Sequence, residues 1–160
     1  MMIYLAGPVF TLAERRFNLE LAGELERLCP SLQVFLPQRY DKEFQGDPDF
    51  SRRMFACLTG ALDNCDVVVA VLDGPDADSG TSFEMGYAGG RGKRVIGVRT
   101  DFRGGEGQTV NLMLSNACSE LLLEPSTTGT PSRLAERIVS VLAAGESLSP
   151  QSISEGFLLP

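Results

Sequence analysis

The spacing of apolar positions changes repeatedly along the chain, and each change marks an element. Residues 1–6 form an apolar run that ends at Gly7-Pro8, which predicts a first strand with a sharp stop. Between residues 12 and 28, Phe17, Leu21, Leu25 and Leu28 share one helical stripe, while Glu14, Arg15, Arg16, Glu20, Glu24 and Arg27 fall mostly off it. That pattern predicts a helix lying on a sheet. A second strand is expected over 32–36, closed by Pro37. The polar, aperiodic stretch 38–49 reads as a long loop or lid, in which Tyr40, Asp41, Lys42 and Glu43 are solvated. A helix over 51–64 begins near Asp47-Pro48-Asp49, and residues 66–73 form a strand buried on both faces. After a loop at 74–80 come a helix over 81–90, a strand over 94–100, a glycine-rich loop at 101–108 and a short helix over 110–118. A strand over 120–124, a helix over 131–144 and a Ser/Pro tail complete the chain.

Strands alternating with helices imply right-handed crossovers and an all-parallel sheet covered on both faces. The expected class is α/β: a doubly wound five-stranded parallel sheet, flavodoxin-like or Rossmann-like, with helices on both faces. Residues 1–145 are expected to make one domain and 146–160 a tail. In such sheets ligands bind beyond the carboxyl ends of the strands, where strand order reverses. Three loops are thereby selected: 7–10, 73–80 and 100–108.

Composition narrows the chemistry. In 160 residues, 14 Lys and Arg against 21 Asp and Glu give a net charge of −7, and there is no histidine. Without imidazole there is no Ser-His-Asp or Cys-His nucleophile and no His-ligated zinc, so chemistry falls to carboxylates, Tyr, Cys, Lys or backbone dipoles. The acidic balance argues against a nucleic-acid polymer or a membrane surface as partner. Cys29, Cys57, Cys65 and Cys118 show no C-x-x-C spacing and read as reduced, buried thiols. Neither an export signal nor an apolar run of about 18 residues is visible, so a cytoplasmic setting is expected.

The loop at 73–80 carries Asp73, Asp76 and Asp78 and runs into Thr81-Ser82-Phe83-Glu84. That last spacing fits a capping box, with the Thr81 hydroxyl on the amide of Glu84 and the Glu84 carboxylate reaching back. It equally suits a carboxylate nucleophile kept ionised by a helix N-terminus. The three aspartates either hold Mg²⁺ or cap and solvate a turn. Tyr4 reads as a core aromatic whose hydroxyl finds a partner, Met85 and Met113 as packing residues, and Asn111 as the cap of the helix that follows. Gly92-Lys93 lacks the remaining residues of a phosphate-binding loop, and no G-x-G-x-x-G follows the first strand.

Three segments together resemble the nucleoside 2-deoxyribosyltransferase family: Tyr4-Leu5-Ala6-Gly7-Pro8-Val9-Phe10, residues 78–88 from Asp78 through Gly80 and Glu84 to Ala88, and Asn111-Leu112-Met113. The similarity spans about residues 2–124. It implies that Glu84 attacks the anomeric carbon of a 2′-deoxyribonucleoside, forms a deoxyribosyl ester and passes the sugar to another base. Tyr4 would orient Glu84, and Asp78 would bind the sugar hydroxyl at the 5′ end. Asn111 would do so from a neighbouring subunit of a homo-oligomer. Phe10 would line the base site, Gln38 would contact the base edge, and Gly7, Gly80 and Met113 would complete the substrate site. Deoxyribonucleosides and free nucleobases are the implied partners, with no metal or cofactor.

Carboxylate chemistry of this kind parallels a retaining glycosidase. It needs no histidine, because a carboxylate is expected to be ionised near neutral pH. Many family members carry an Asp that serves the departing base eight residues before the position of Asp66, where this chain has Leu58. Asp41, Asp47, Asp49 or solvent would have to substitute. Two other readings stand beside base exchange: hydrolysis of a deoxynucleoside or its 5′-monophosphate, and a non-catalytic nucleotide-binding or receiver-like module. A phosphate would be repelled by Asp78, which favours a free nucleoside.

Overall fold

Strand side chains alternate between two hydrophobic cores, following the two-residue period of extended backbone. In β1 (Met2–Ala6), Ile3 and Leu5 enter one core and Tyr4 and Ala6 the other. In β3 (Val67–Val71), Val67, Val69 and Val71 join the first, while Val68 and Ala70 join the second. Such strands require a helical layer on each side. The computed structural model describes residues 1–101, 110–125 and 127–146. Most of the glycine-rich loop and residues 147–160 of the expected tail lie outside these.

The remaining elements are α1 (Leu12–Leu28), β2 (Gln33–Phe35), a 3-10 turn (Pro37–Arg39), α2 (Phe50–Asn64) and α3 (Ser79–Gly90), followed by β4 (Arg94–Arg99), α4 (Leu112–Ala117), β5 (Glu120–Leu123) and α5 (Pro131–Glu146). All strand pairs are parallel, in the order β2-β1-β3-β4-β5. Leu21 and Leu25 of α1 and Leu134 and Ile138 of α5 close the first core; Leu62 of α2 and Met85 and Ala88 of α3 close the second. Each fully buried Leu or Ile contributes roughly 2 kcal/mol of transfer free energy. Among the described residues no helix is long and apolar enough to cross a membrane, and the four cysteines are free.

Strand order reverses between β1 and β3, so their carboxyl ends make the switch point at which ligands of doubly wound sheets bind. The loop after β3 is tied down there. Asp73 accepts from the amide and hydroxyl of Thr100 at 2.6 and 2.5 Å and from the Asp101 amide at 3.2 Å. Arg99 pairs with Asp101 at 2.6 Å and donates to the Gly74 carbonyl at 3.0 Å. These bonds hold the ends of β3 and β4 in register.

Candidate active site

The helix that carries Glu84 starts two residues before its expected position, and the capping box expected at Thr81 does not form. Asp78 is the N-cap: its Oδ2 accepts from the Thr81 amide at 2.9 Å, and the Ser82 hydroxyl donates to its carbonyl at 2.9 Å. An Asp preceding the first turn satisfies these amides better than Thr81, which is buried inside the helix. Gly80 lets the carboxylate fold over, since a Cβ there would lie 3.0 Å from Asp78 Oδ2. Released from capping, Glu84 is the sixth residue of α3, beyond the first turn where the helix dipole acts.

Its side chain reaches across to the sheet instead. The hydroxyl of Tyr4, a fully buried residue in the middle of β1, donates to Glu84 Oε1 at 2.5 Å. The expectation that a helix terminus keeps this carboxylate ionised is corrected as well. Burial pushes the Glu84 carboxyl up to about 7, the Tyr4 hydrogen bond pulls it down, and the nearby Asp78 charge pushes it up. Tyr4 itself is raised well above the usual phenol range by burial and by Glu84, so it remains a proton donor in that bond. The pair is thus a partly protonated carboxyl group oriented by a neutral phenol.

The loop after β1 is built as a rigid rim. Gly7 passes so close to β3 that a Cβ would meet Val71 at 3.2 Å and Asn18 Oδ1 at 3.3 Å. The buried Asn18 amide donates to the Pro8 carbonyl at 2.9 Å. Glu14 accepts from the amides of Phe10 and Thr11 at 3.0 and 2.7 Å, leaving the Phe10 ring 78% exposed. Arg15 ties this rim to the following segment through Asp41 at 2.7 Å. Gln38 is buried, donates to the Arg15 carbonyl at 2.8 Å and leaves its own Oε1 without a partner. Tyr40 departs from the solvated loop expected for it, because its ring stacks on Phe35 at 4.5 Å.

Asn111 caps α4, accepting from the Met113 amide at 2.8 Å. With Asp76, Ala77 and Arg99 it lines a cavity of about 140 Å³ beyond β3 and β4. Met113 is 72% exposed. The aspartates of the β3 loop do not converge as ligands, since Asp73 holds Thr100 and Asp78 caps α3. No group of three potential metal-ligating side chains occurs among the described residues. Leu58 is half-buried against the core that contains Tyr4. Of the candidate proton donors, Asp41 is paired with Arg15 and Asp47 with Arg53; the Asp49 amide, and after it Arg53, hold the Asp47 carboxyl below its usual range.

The profile of the nucleoside 2-deoxyribosyltransferases matches residues 3–113, a stretch that includes Tyr4, Asp78, Glu84 and Asn111. The chain belongs to this family. A similar protein of Schizosaccharomyces pombe, itself uncharacterised, is 32% identical over 110 residues, which cover 63% of this chain and 51% of the relative. The chain therefore spans about half the length of that curated relative. Among solved structures, a conserved protein from Enterococcus faecalis V583 superposes with a TM-score of 0.68 at 25% identity, covering 88% of this chain and 98% of that one. A 2-deoxyribosyltransferase from Bacillus psychrosaccharolyticus gives 0.63 at 22% identity, over 76% of this chain and 85% of the other. A CMP N-glycosidase from Clostridium botulinum gives 0.57 at 17% identity, over 87% and 99%. The last two likenesses establish the fold.

Within this deoxyribosyltransferase-family framework, three residues beside the site, Glu14, Arg99 and Asn18, lie outside the candidate residues named from the sequence. Glu14 had a signal, because Thr11-Leu12-Ala13-Glu14 has the same T-x-x-E spacing as Thr81 to Glu84 and does form a capping box. Arg99 reads as an ordinary strand residue, yet its guanidinium is buried beside Asn111 and neutralised by Asp101. Asn18 sits on the helical face that meets the sheet and is found only through its bond to Pro8.

Proposed function

We propose that the protein exchanges purine or pyrimidine bases on 2-deoxyribose through a covalent deoxyribosyl ester of Glu84. The observation that carries this reading is the 2.5 Å hydrogen bond from Tyr4 to Glu84, which joins β1 to α3 at the switch point. In its ionised form Glu84 attacks C1′, the glycosidic C–N bond breaks, and its electron pair leaves on the base nitrogen, which takes up a proton. An incoming base then attacks C1′ through a ring nitrogen, the ester C–O bond breaks, and Glu84 is regenerated as the carboxylate while the new base loses its proton to solvent. Solvent or Asp49 supplies the proton in the first step, since Asp41 and Asp47 are held by arginines.

Raising the carboxyl toward 7 makes it more basic than an ordinary glutamate and so a stronger nucleophile once ionised. Asp78 takes the sugar hydroxyl at the 5′ end, assisted by Asn111 of a neighbouring subunit in a homo-oligomer. Phe10 and Gly7 border the base, Gln38 lies at its edge, and Gly80 and Met113 shape the sugar side. A free nucleoside is favoured over a 5′-monophosphate because Asp78 is anionic and Arg99 is already engaged by Asp101.

Deoxyinosine incubated with adenine, followed chromatographically, should yield deoxyadenosine. Hypoxanthine release without exchange would assign a hydrolase, and no turnover with any base pair would favour a binding module. Acid-quenched protein should carry one added deoxyribosyl mass, located on the peptide containing Glu84 and missing from Glu84→Ala.

A further inference from the structure

We propose that Phe35 and Tyr40 are positioning residues for the Glu84 carboxylate: stacked in series on the Tyr4 ring, they fix the hydroxyl that donates to it. This deepens the reading of Glu84 as nucleophile and rests on it for its catalytic consequence. The three rings form a ladder. Tyr4 and Phe35 have centroids 5.2 Å apart with planes 18° from parallel, and Phe35 and Tyr40 are 4.5 Å apart at 14°. Tyr4 and Phe35 are direct partners across the β1–β2 pair, so the first rung follows from strand register. The second is made by the 3-10 turn that Pro37 initiates: it returns the chain, with the Tyr40 amide donating to the Pro37 carbonyl at 3.0 Å, and lays the Tyr40 ring over Phe35.

The torsion that turns a phenol ring about its Cβ–Cγ bond has a broad well. The hydroxyl oxygen lies on that axis, so turning the ring leaves the oxygen in place but swings the O–H bond, which keeps to the ring plane, away from its acceptor. A hydrogen bond of 2.5 Å tolerates little of that motion. One face of the Tyr4 ring is held by Phe35, and Phe35, on a three-residue edge strand, is held in turn by Tyr40.

The charged and titratable groups around the pair leave Tyr4 as the adjustable influence. Glu84 is faced by Tyr4 from β1 and by Asp78 from the start of its own helix. Tyr4 is faced by Glu84 and, from α2 and its C-terminal end, by Cys57 and Cys65. Both thiols are raised above their usual range by burial and stay neutral near pH 7. Loosening the ladder therefore weakens the contact from Tyr4 that favours ionised Glu84.

Full-length protein labelled with ¹³C at glutamate Cδ allows the Glu84 carboxyl to be titrated directly by NMR, its resonance assigned by its loss in Glu84→Gln. In Tyr40→Ala the midpoint should rise by about half a pH unit, a roughly three-fold change in the ionisation constant. Tyr40→Phe, which keeps the ring, should titrate as the wild type does. The acid limb of kcat/KM for base exchange should move with the midpoint. An unchanged midpoint in Tyr40→Ala overturns the proposal, as does an equal rise in Tyr40→Phe. Because the titration needs no turnover, inactivity toward nucleosides would remove the assigned reaction and leave the positioning result readable. Should Phe35→Leu fold, it should raise the midpoint at least as far.

Discussion

At the scale of single residues, two effects of opposite sign meet on Glu84. Burial and the Asp78 charge favour its neutral form, and the Tyr4 hydroxyl favours its carboxylate. If the ionised form is the nucleophile, kcat/KM should rise with pH through an acid limb near 7 and then level. Tyr4→Phe removes a hydrogen bond to a charged acceptor, worth about 1.5–3 kcal/mol. The limb should therefore move up by about one unit or more, and a limb that stays near 7 would remove Tyr4 from the mechanism. The same shift governs stability. A carboxyl near 4.5 when unfolded and near 7 when folded makes the native state the stronger proton binder between those values. Its stabilising contribution is fully present below about pH 4.5 and is lost as pH rises through 7. The loss amounts to at most about 3 kcal/mol at 1.36 kcal/mol per unit. Glu84→Gln should then resist urea better than the wild type at pH 8 and about equally at pH 4.5. A gap of the same size at both pH values would contradict this ionisation.

At the scale of elements, the start of α3 separates what local spacing can reveal from what it cannot. Thr11 to Glu14 and Thr81 to Glu84 carry the same T-x-x-E signal, and only the first becomes a capping box. The difference lies in Asp78, three residues before Thr81, and in a partner for Glu84 that is 80 residues away on β1. Helical stripes, apolar strands and the doubly wound class were legible because each follows from a period within one segment, as in α1, whose expected and observed limits coincide. The ladder through Tyr40, the burial of Arg99 and the ionisation of Glu84 depend on pairings between segments, which periodicity does not carry. Asp78 joins both kinds of information, as helix cap and as proposed sugar anchor, and substitution can separate them. Asp78→Asn keeps a capping acceptor and should change stability by only a few tenths of a kcal/mol, whereas Asp78→Ala should cost about 1 kcal/mol. Removing the charge in Asp78→Asn should also lower the acid limb of kcat/KM and raise KM. A variant with unchanged KM and unchanged pH profile would reduce Asp78 to a cap.

At the scale of the whole molecule, the sheet places the Tyr4–Glu84 pair on one side. Tyr4 and Ala6 face the core closed by α2 and α3. On the opposite face a cavity of about 290 Å³ lies against α1 and borders the same rim through Pro8 and Glu14, with Phe17, Asn18 and Asp73 also in its lining. The helical layer over the Tyr4 side leaves large apolar side chains uncovered, with Phe55 56%, Phe83 51% and Leu112 62% exposed. Such an outer surface suits contact with a second subunit. It is consistent with the proposal that Asn111 completes the site of a neighbour, and complementation tests that directly. Glu84→Ala and Asn111→Ala proteins, each inactive alone, are mixed under conditions in which subunit exchange is verified by mass-tagged copies. In a two-fold dimer half of the equilibrated molecules are mixed, and each of those has one site with both residues intact. About a quarter of wild-type activity should therefore return. Proven exchange with no recovered activity would place Asn111 and Glu84 of one site in the same subunit, and the oligomer would then have no part in building it.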